Sequence, residues 1–303
     1  MKIVFVVNNR GNRLDKVLHR LDQYFQDLNH ENVYFISTLR KGHAVDMAKQ
    51  VTIDGCDYLI AVGGDGTLHE VINGVMLAKI PTNNYPAIGL LPYGSANDFA
   101  RTINASNNID ELFQLIHNHT VKKINLGKIT LYESREERYF INIVGVGLSG
   151  EVVHLLESSK SFLGPAVNYF SCIIKGFFNY EKKNLECKGD NWSWQGSLLQ
   201  LVVANGRYYG NGICIAPDAD PGSGEFQVSI FGDLDIWDYL KNLGNLKKGK
   251  RLKLSEVSYY NSKEVTIKGR DSGGVEADGE FVGHTPVKIT MLPKAINFLI
   301  SNG

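Results

Sequence analysis

Neither sign of charge is in excess: Lys+Arg and Asp+Glu each number 32. This balance removes the overall field by which a basic protein holds nucleic acid. No nucleic-acid partner is therefore expected, and any affinity for a charged surface must be local. Cysteine is scarce. Cys56, Cys172, Cys187 and Cys214 form no CxxC pair and no cluster with zinc-ligand spacing, which points to reduced thiols in a cytoplasmic protein. A secretory leader is not expected either, because Lys2 is followed directly by the strand-like run Ile3–Val7, too short for a signal-peptide core. No apolar run approaches the roughly 20 residues of a membrane helix, so any meeting with a bilayer is expected at its surface and only transiently. Repeats and low-complexity linkers are absent from the pattern.

What is present is enough apolar sequence for a large core. A chain of 303 residues with 43% hydrophobic content is more comfortable as two domains than as one. In the first third, KIVFVV (2–7), VYFIST (33–38), DYLIAV (57–62) and AIGLLP (87–92) read as strands, with helical periodicity near 13–28, 43–51 and 67–79 between them. Strands separated by helices of this length give a parallel sheet with a ligand crevice at the strand ends. After about residue 120 the rhythm changes to short strands: INLGKITL, RYFINIV, LLQLVVAN, GICIAP, EFQVSIF, EVTIKG and VKITML. That spacing suggests a sandwich, interrupted by helical segments around 150–180 and 235–248. The expected division is 1–123 and 124–293, with 294–303 (AINFLISNG and its neighbour) packing back on the first domain.

The most informative stretch is AVGGDGTLHEVINGVMLA, residues 61–78. A buried strand runs into Gly63-Gly64-Asp65-Gly66, and a helix follows with Leu68, Val71, Ile72, Val75 and Met76 on one stripe. Thr67 and Glu70 have capping-box spacing, which places the helix start just after the glycines. Three glycines let the backbone approach a phosphate and aim its N–H groups at it, and the helix dipole adds to the attraction. Asp65 is repelled by phosphate unless a divalent cation lies between, so its presence implies magnesium. A plain strand–turn–helix corner with Asp65 as a cap is the alternative. A second turn argues against it: LPYGSANDFAR (91–101) closes the next strand with Gly94, Ser95, Asn97 and Asp98 at the same sheet edge.

GGDGTLHEVINGV and LPYGSANDFAR are similar to the nucleotide-binding motifs of the diacylglycerol kinase catalytic-domain family, in particular its bacterial soluble lipid kinases. The resemblance continues in family order through INIVGVGLSGEV, FLGPAVNYFSCIIKGF, APDADPGSGEFQVSI and VEADGEFVGHTPVKI. It implies an amino-terminal NAD-kinase-like three-layer α/β nucleotide-binding domain, a β-sandwich second domain and an active site between them. The implied reaction is ATP-dependent phosphorylation of a lipid hydroxyl, diacylglycerol first, with peripheral membrane contact and a homodimer as further expectations. By the same resemblance Asp65 engages magnesium and phosphate, and Gly63, Gly64, Gly66 and Thr67 contact the nucleotide. Gly94, Ser95 and Asn97 line the other wall, Asp98 supports the network, and Glu280 in Ala277-Asp278-Gly279-Glu280 matches the general base.

Two departures from the family pattern stand out. The amino-terminal loop reads Asn8-Asn9-Arg10-Gly11-Asn12-Arg13, which keeps Asn8 without the usual proline and serine, and leaves Arg10, Arg13 and Lys16 as phosphate candidates. Ser223-Gly224 stands where relatives often carry the Asp-Gly of a second, structural magnesium, and a hydroxyl is a poor replacement for a carboxylate. NAD kinase, a sphingoid or other lipid kinase, and a nucleotide-binding regulatory relative without turnover remain alternatives.

Other signals carry less. Gly145, Gly147 and Gly150 fit GxGxxG, but no acidic residue lies about 20 positions on, and close packing is the better reading. GNLKKGKR (244–251) ends in Arg251 where a P-loop needs Ser or Thr. The run Lys247 to Lys253 is a local positive patch suited to anionic headgroups or plain solvation, and the apolar residues of 162–180 suit acyl chains or a packed helix. His117 and His119 lack a third metal ligand.

Overall fold

A computed structural model describes residues 1–8, 18–21, 23, 32–81, 84–158, 175–176 and 178–301. The chain divides into two compact units, Met1–Asn125 with Pro293–Gly303, and Leu126–Leu292. Arg10, Arg13, Lys16, Cys172, most of the segment 13–28 and most of the stripe at 162–180 lie outside the described residues.

The first unit is built on parallel strands. β1 (Ile3–Asn8) pairs with β2 (Val33–Thr38) on one side and β3 (Tyr58–Gly63) on the other, and β3 pairs with β4 (Ala87–Pro92). The crossovers are α1 (His43–Ile53) from β2 to β3 and α2 (Asp65–Leu77) from β3 to β4. After the short α3 (Asp98–Thr102), α4 (Ile109–His117) carries Ile109, Leu112, Phe113 and Ile116 on its buried stripe. These side chains join Ile3, Phe5, Val7, Ile60 and Val62 in one core cluster. Because strand side chains alternate, Val4, Val6, Leu59 and Ala61 turn to the opposite face, the side taken by α1 and α2. Helices on both faces make the expected three layers. A Cβ on Gly74 would lie 2.4 Å from the Val45 carbonyl, so α1 and α2 meet backbone to backbone at a glycine.

The second unit is antiparallel. One sheet runs β14 (Val257–Ser262), β13 (Phe226–Phe231), β10 (Gln200–Ala204), β7 (Ile143–Gly147), β16 (Gly274–Ala277), β17 (Glu280–His284). The other contains β9 (Ser193–Leu198), β8 (Lys183–Lys188), β15 (Glu264–Gly269) and the first half of β18 (Val287–Leu299). Val146, Leu201, Val203, Phe226 and Val228 of the first sheet share a core with Leu185, Val265, Ile267, Val287 and Ile289 of the second, which is a sandwich. The outer face of the first sheet is covered by α5 (Leu148–Ser158) and α6 (Ile236–Lys247). The chain enters and leaves this unit within strands, β5 (Val121–Leu131) and β18, and in the first unit Phe298 of β18 pairs in parallel with Ile88.

Candidate active site

In the first unit, parallel pairing brings the carboxyl ends of three strands to one edge. Val7 lies beside Val62, and Gly63 beside Pro92, so the residues that follow each strand emerge together. The turn after β3 and the turn after β4 then touch. A Cβ on Gly94 would stand 2.3 Å from the Gly64 Cα, and one on Gly64 would stand 2.9 Å from the Gly94 Cα. Only glycine at both positions permits this approach. Gly63 is constrained differently, since its Cβ would fall 2.3 Å from the Thr67 hydroxyl.

Asp65 joins the two turns. Its carboxylate accepts the backbone N–H groups of Asp98 and Phe99, each at 3.0 Å, and so caps the short helix α3 of the second turn. Asn97 shapes that turn. It holds a left-handed backbone with φ 53°, accepts the Gly94 N–H at 3.0 Å and donates to the Gly94 carbonyl at 2.9 Å. Asp98 is buried, with the Arg101 guanidinium 3.9 Å away. Asn8, the last residue of β1, donates its amide to the Thr67 hydroxyl at 3.0 Å, which ties the first strand to the glycine turn.

The predicted capping box does not form. Helix α2 begins at Asp65 with Gly64 as its cap and no side-chain cap bond, while Thr67 sits in the first turn facing Asn8. Glu70 instead accepts the N–H groups of Gly42 and Ala44 at 2.9 and 3.0 Å, capping α1 from the neighbouring helix. Tertiary packing offered Glu70 two amides of another helix start, which outcompete the single amide of its own.

Several of the expected nucleotide contacts face open space. A Cβ on Gly66 would meet nothing within 4 Å, and Ser95 is exposed. Gly66 lies in the first turn of α2, where backbone N–H groups have no intrahelical acceptor. The edge therefore offers a glycine-lined helix start to an anion. Among the described residues, no three His, Cys, Asp or Glu side chains gather as a metal cage. Of the two carboxylates described in these turns, Asp98 is buried beside Arg101, which leaves Asp65 the better placed to meet a divalent ion. A carboxylate oxygen has two acceptor directions, so an amide on each does not exclude a cation. One carboxylate with the remaining positions filled by phosphate oxygens and water fits magnesium better than calcium or zinc.

In the second unit, Glu280 opens β17 just after a two-residue turn. Ala277 pairs with Glu280, and Asp278 and Gly279 take φ 50° and 86°, the signature of a type I′ hairpin. The turn is held from both sides. Asp278 accepts the N–H groups of Ile141, Asn142 and Ile143 at 2.9 to 3.0 Å, and Glu276 accepts the Gly279 N–H at 3.0 Å. Glu276 is only 4% exposed, a buried carboxylate that sequence inspection passes over because only its neighbours Asp278 and Glu280 belong to the recognised ADGE string. Glu280 itself is half-buried.

Residues 2–129 match the diacylglycerol kinase catalytic domain, and residues 142–300 match the YegS C-terminal NAD kinase beta sandwich-like domain. The chain belongs to the diacylglycerol kinase catalytic-domain family. It is similar to the diacylglycerol kinase of Bacillus subtilis, with 26% identity over 290 residues, 94% of this chain and 91% of the relative. It is similar also to the diacylglycerol kinase of Staphylococcus haemolyticus, with 29% identity over 264 residues, 86% of this chain and 76% of the relative. A diacylglycerol kinase crystal structure from Bacillus anthracis shares the fold, with a TM-score of 0.72 at 20% identity over 99% of this chain and 97% of that one. Membership makes this family member a kinase, with ATP as the implied co-substrate and a divalent ion as its usual companion.

Other sequence signals take structural places. A Cβ on Gly150 would lie 2.2 Å from the Gly274 carbonyl, and one on Gly145 would lie 2.1 Å from the Ser149 hydroxyl, so the GxGxxG glycines serve the close seating of α5 on β16. The Ser223 hydroxyl sits 2.8 and 2.9 Å from the Asp220 and Glu225 carbonyls and is occupied with its own turn. His119 meets the Tyr58 hydroxyl at 2.5 Å. No helix among the described residues is long and apolar enough to cross a membrane.

Proposed function

We propose that this family member transfers the γ-phosphate of ATP to the hydroxyl of a membrane lipid, diacylglycerol in the first instance, giving phosphatidic acid. The observation that carries the reading is the Asp65 bridge. One carboxylate, set at a glycine-lined helix start, organises two phosphate-sized turns at a single sheet edge. Gly63, Gly64, Gly66 and Thr67 are assigned to the β- and γ-phosphates through backbone amides and the hydroxyl, with Gly94, Ser95 and Asn97 on the facing wall. Asn8 orients Thr67 through its amide, and Asp98 stiffens the second turn. When bound through Asp65, magnesium neutralises charge on the transferring phosphoryl group.

Glu280 is assigned as the base that takes the proton of the acceptor hydroxyl. The hairpin supports this role, because the I′ turn and the clamps by Asp278 and Glu276 fix the backbone from which the carboxylate projects. With its geometry preset, little protein motion is needed at the moment of transfer.

The test is incubation with γ-labelled ATP, magnesium and mixed micelles carrying diacylglycerol, sphingoid bases or monoacylglycerol in parallel. Labelled phosphatidic acid as the major product is expected. Absence of a labelled product from every lipid hydroxyl would defeat the reading, and conversion of NAD to NADP would transfer the site to a soluble dinucleotide.

A further inference from the structure

Among the described residues, helix α6 has one buried side. Ile236, Tyr239, Leu243 and Leu246 pack into the cluster on the outer face of the sandwich sheet. By the helical period, Trp237, Lys241 and Lys248 then fall together on the opposite side. Trp237 is 55% exposed, and it is not alone: Phe178, 68% exposed, stands edge-to-face against it with ring centroids 6.0 Å apart. Single exposed apolar side chains are ordinary, but two large aromatics in mutual contact in water form a patch.

The charges around the patch are divided. Near the aromatics, Asp233 is taken by Lys182 at 2.6 Å and Asp238 by Lys241 at 3.1 Å, while the exposed Asp235 accepts the Trp237 N–H at 2.7 Å as the helix cap. At the far end of the helix, Arg251 is committed to Asp218 and lies over the Tyr259 ring at 5.1 Å. Lys247, Lys248, Lys250 and Lys253 are exposed and form no ion pair among the described residues. The chain therefore presents an aromatic pair near one end of a surface helix, and four lysines without an ion pair among the described residues at its other end and in the segment that follows.

We propose that this face of α6 is a membrane-docking surface, with the occupant an anionic bilayer. Trp237 and Phe178 enter the headgroup–acyl boundary, where an indole gains from an apolar body and a polar edge, while the lysines meet acidic headgroups. Charge complementarity selects this occupant: an aromatic pair alone suits many partners, but exposed Lys247 and Lys248 at the helix end, with Lys250 and Lys253 in the segment beyond it, suit an acidic lipid surface. The proposal rests on the lipid-kinase reading for its purpose, though not for its test.

The experiment measures sedimentation of the full chain with vesicles of phosphatidylcholine alone or mixed with phosphatidylglycerol, together with tryptophan emission. Binding is expected only with the anionic lipid, weakening as salt is raised, with a blue shift on binding. K247Q/K248Q/K250Q/K253Q should lower the partition coefficient by roughly six-hundredfold at low salt, from a contribution of about fivefold per lysine. Trp237→Phe should keep most of the binding and abolish the blue shift, because the other two tryptophans, Trp192 stacked on Tyr260 and Trp194, pack against the sandwich core. Unchanged affinity of the quadruple variant, a blue shift that survives Trp237→Phe, equal binding to neutral vesicles, or tighter binding to duplex DNA than to vesicles would each overturn the proposal. Turnover of a dispersed short-chain diacylglycerol separates the two readings. Variants that lose vesicle binding but keep that turnover support the surface, whereas wild-type protein that binds vesicles through this face yet phosphorylates no lipid leaves the surface standing and removes the kinase assignment.

Discussion

The Cα atoms of Gly64 and Gly94 approach so closely that a methyl group on Gly94 would lie 2.3 Å from the Gly64 Cα. Two turns from different strands thus share one surface. Gly94→Ala must push backbone against backbone, which costs about 1–3 kcal/mol of stability by the usual scale of overpacking. A lowered thermal midpoint with weakened ATP binding is expected; a midpoint equal to wild type would show that the turns separate freely.

Gly66 offers the opposite experiment. Its position is helical and open, so Gly66→Ala should stabilise the fold by about 0.4–1 kcal/mol. If phosphate rests on this amide, the added methyl hinders it, and ATP affinity should fall while the melting temperature rises. Equal or tighter ATP binding by calorimetry would take Gly66 out of the phosphate contact.

Asp65→Asn keeps an acceptor for one of the two amides of Asp98 and Phe99 and turns the other amide toward an NH₂ group. A stability loss of about 1–3 kcal/mol is expected from the unsatisfied donor. The charge effect is separate. Nucleotide-dependent activity should become far less responsive to magnesium, and a magnesium titration that overlays wild type would withdraw the metal role.

For the hairpin, Glu280→Gln should lower kcat by about 10²–10⁴ and leave ATP affinity near wild type, since it removes proton transfer alone. Glu276→Gln preserves an oxygen for the Gly279 N–H and should retain most activity, whereas Glu276→Ala leaves that amide unmet and should lower kcat more than the KM for ATP. Equal loss in the Gln and Ala variants would mean that Glu276 does something other than hold the turn.

Stability should fall in alkali. Burial pushes the Cys56 thiol up from 9.0 to about 12, raises Cys187 further, and raises the phenols of Tyr180 and Tyr239 above 10.0. In the unfolded chain these groups ionise near their ordinary values, so above pH 9 the unfolded state binds fewer protons than the native state. Their contribution is intact below about pH 9 and is lost as pH climbs toward the native values. Guanidinium midpoints at pH 8 and pH 10.5 check this, and an equal or higher midpoint at the upper pH contradicts it.

The parallel strands of the first unit could be anticipated because KIVFVV, DYLIAV and AIGLLP are nearly continuous apolar runs, as strands buried on both faces must be. The second unit was readable only in part. KNLECK, SWQGSL and VSYYNS mix charge and polarity with few apolar positions, so β8, β9 and β14 carry little strand signal. RYFINIV read as one strand but breaks between β6 (Glu137–Phe140) and β7, because the amides of Ile141 and Asn142 turn to Asp278, 137 and 136 residues away in sequence. No local pattern announces such a partner.

Glycine spacing, apolar periodicity and turn chemistry act over a few residues, which is why the glycine-rich turns, the layered sheet and the tight Asp278-Gly279 corner were present in the order of amino acids alone. Partnerships across the chain belong to folding. Asp65 capping the turn after β4, Glu70 capping the helix before its own, and Glu276 buried under the turn ahead of Glu280 each depend on an amide that packing delivers to a carboxylate from elsewhere in the chain. A carboxylate takes whichever donors lie within about 3 Å of it, and that distance is decided by packing in space.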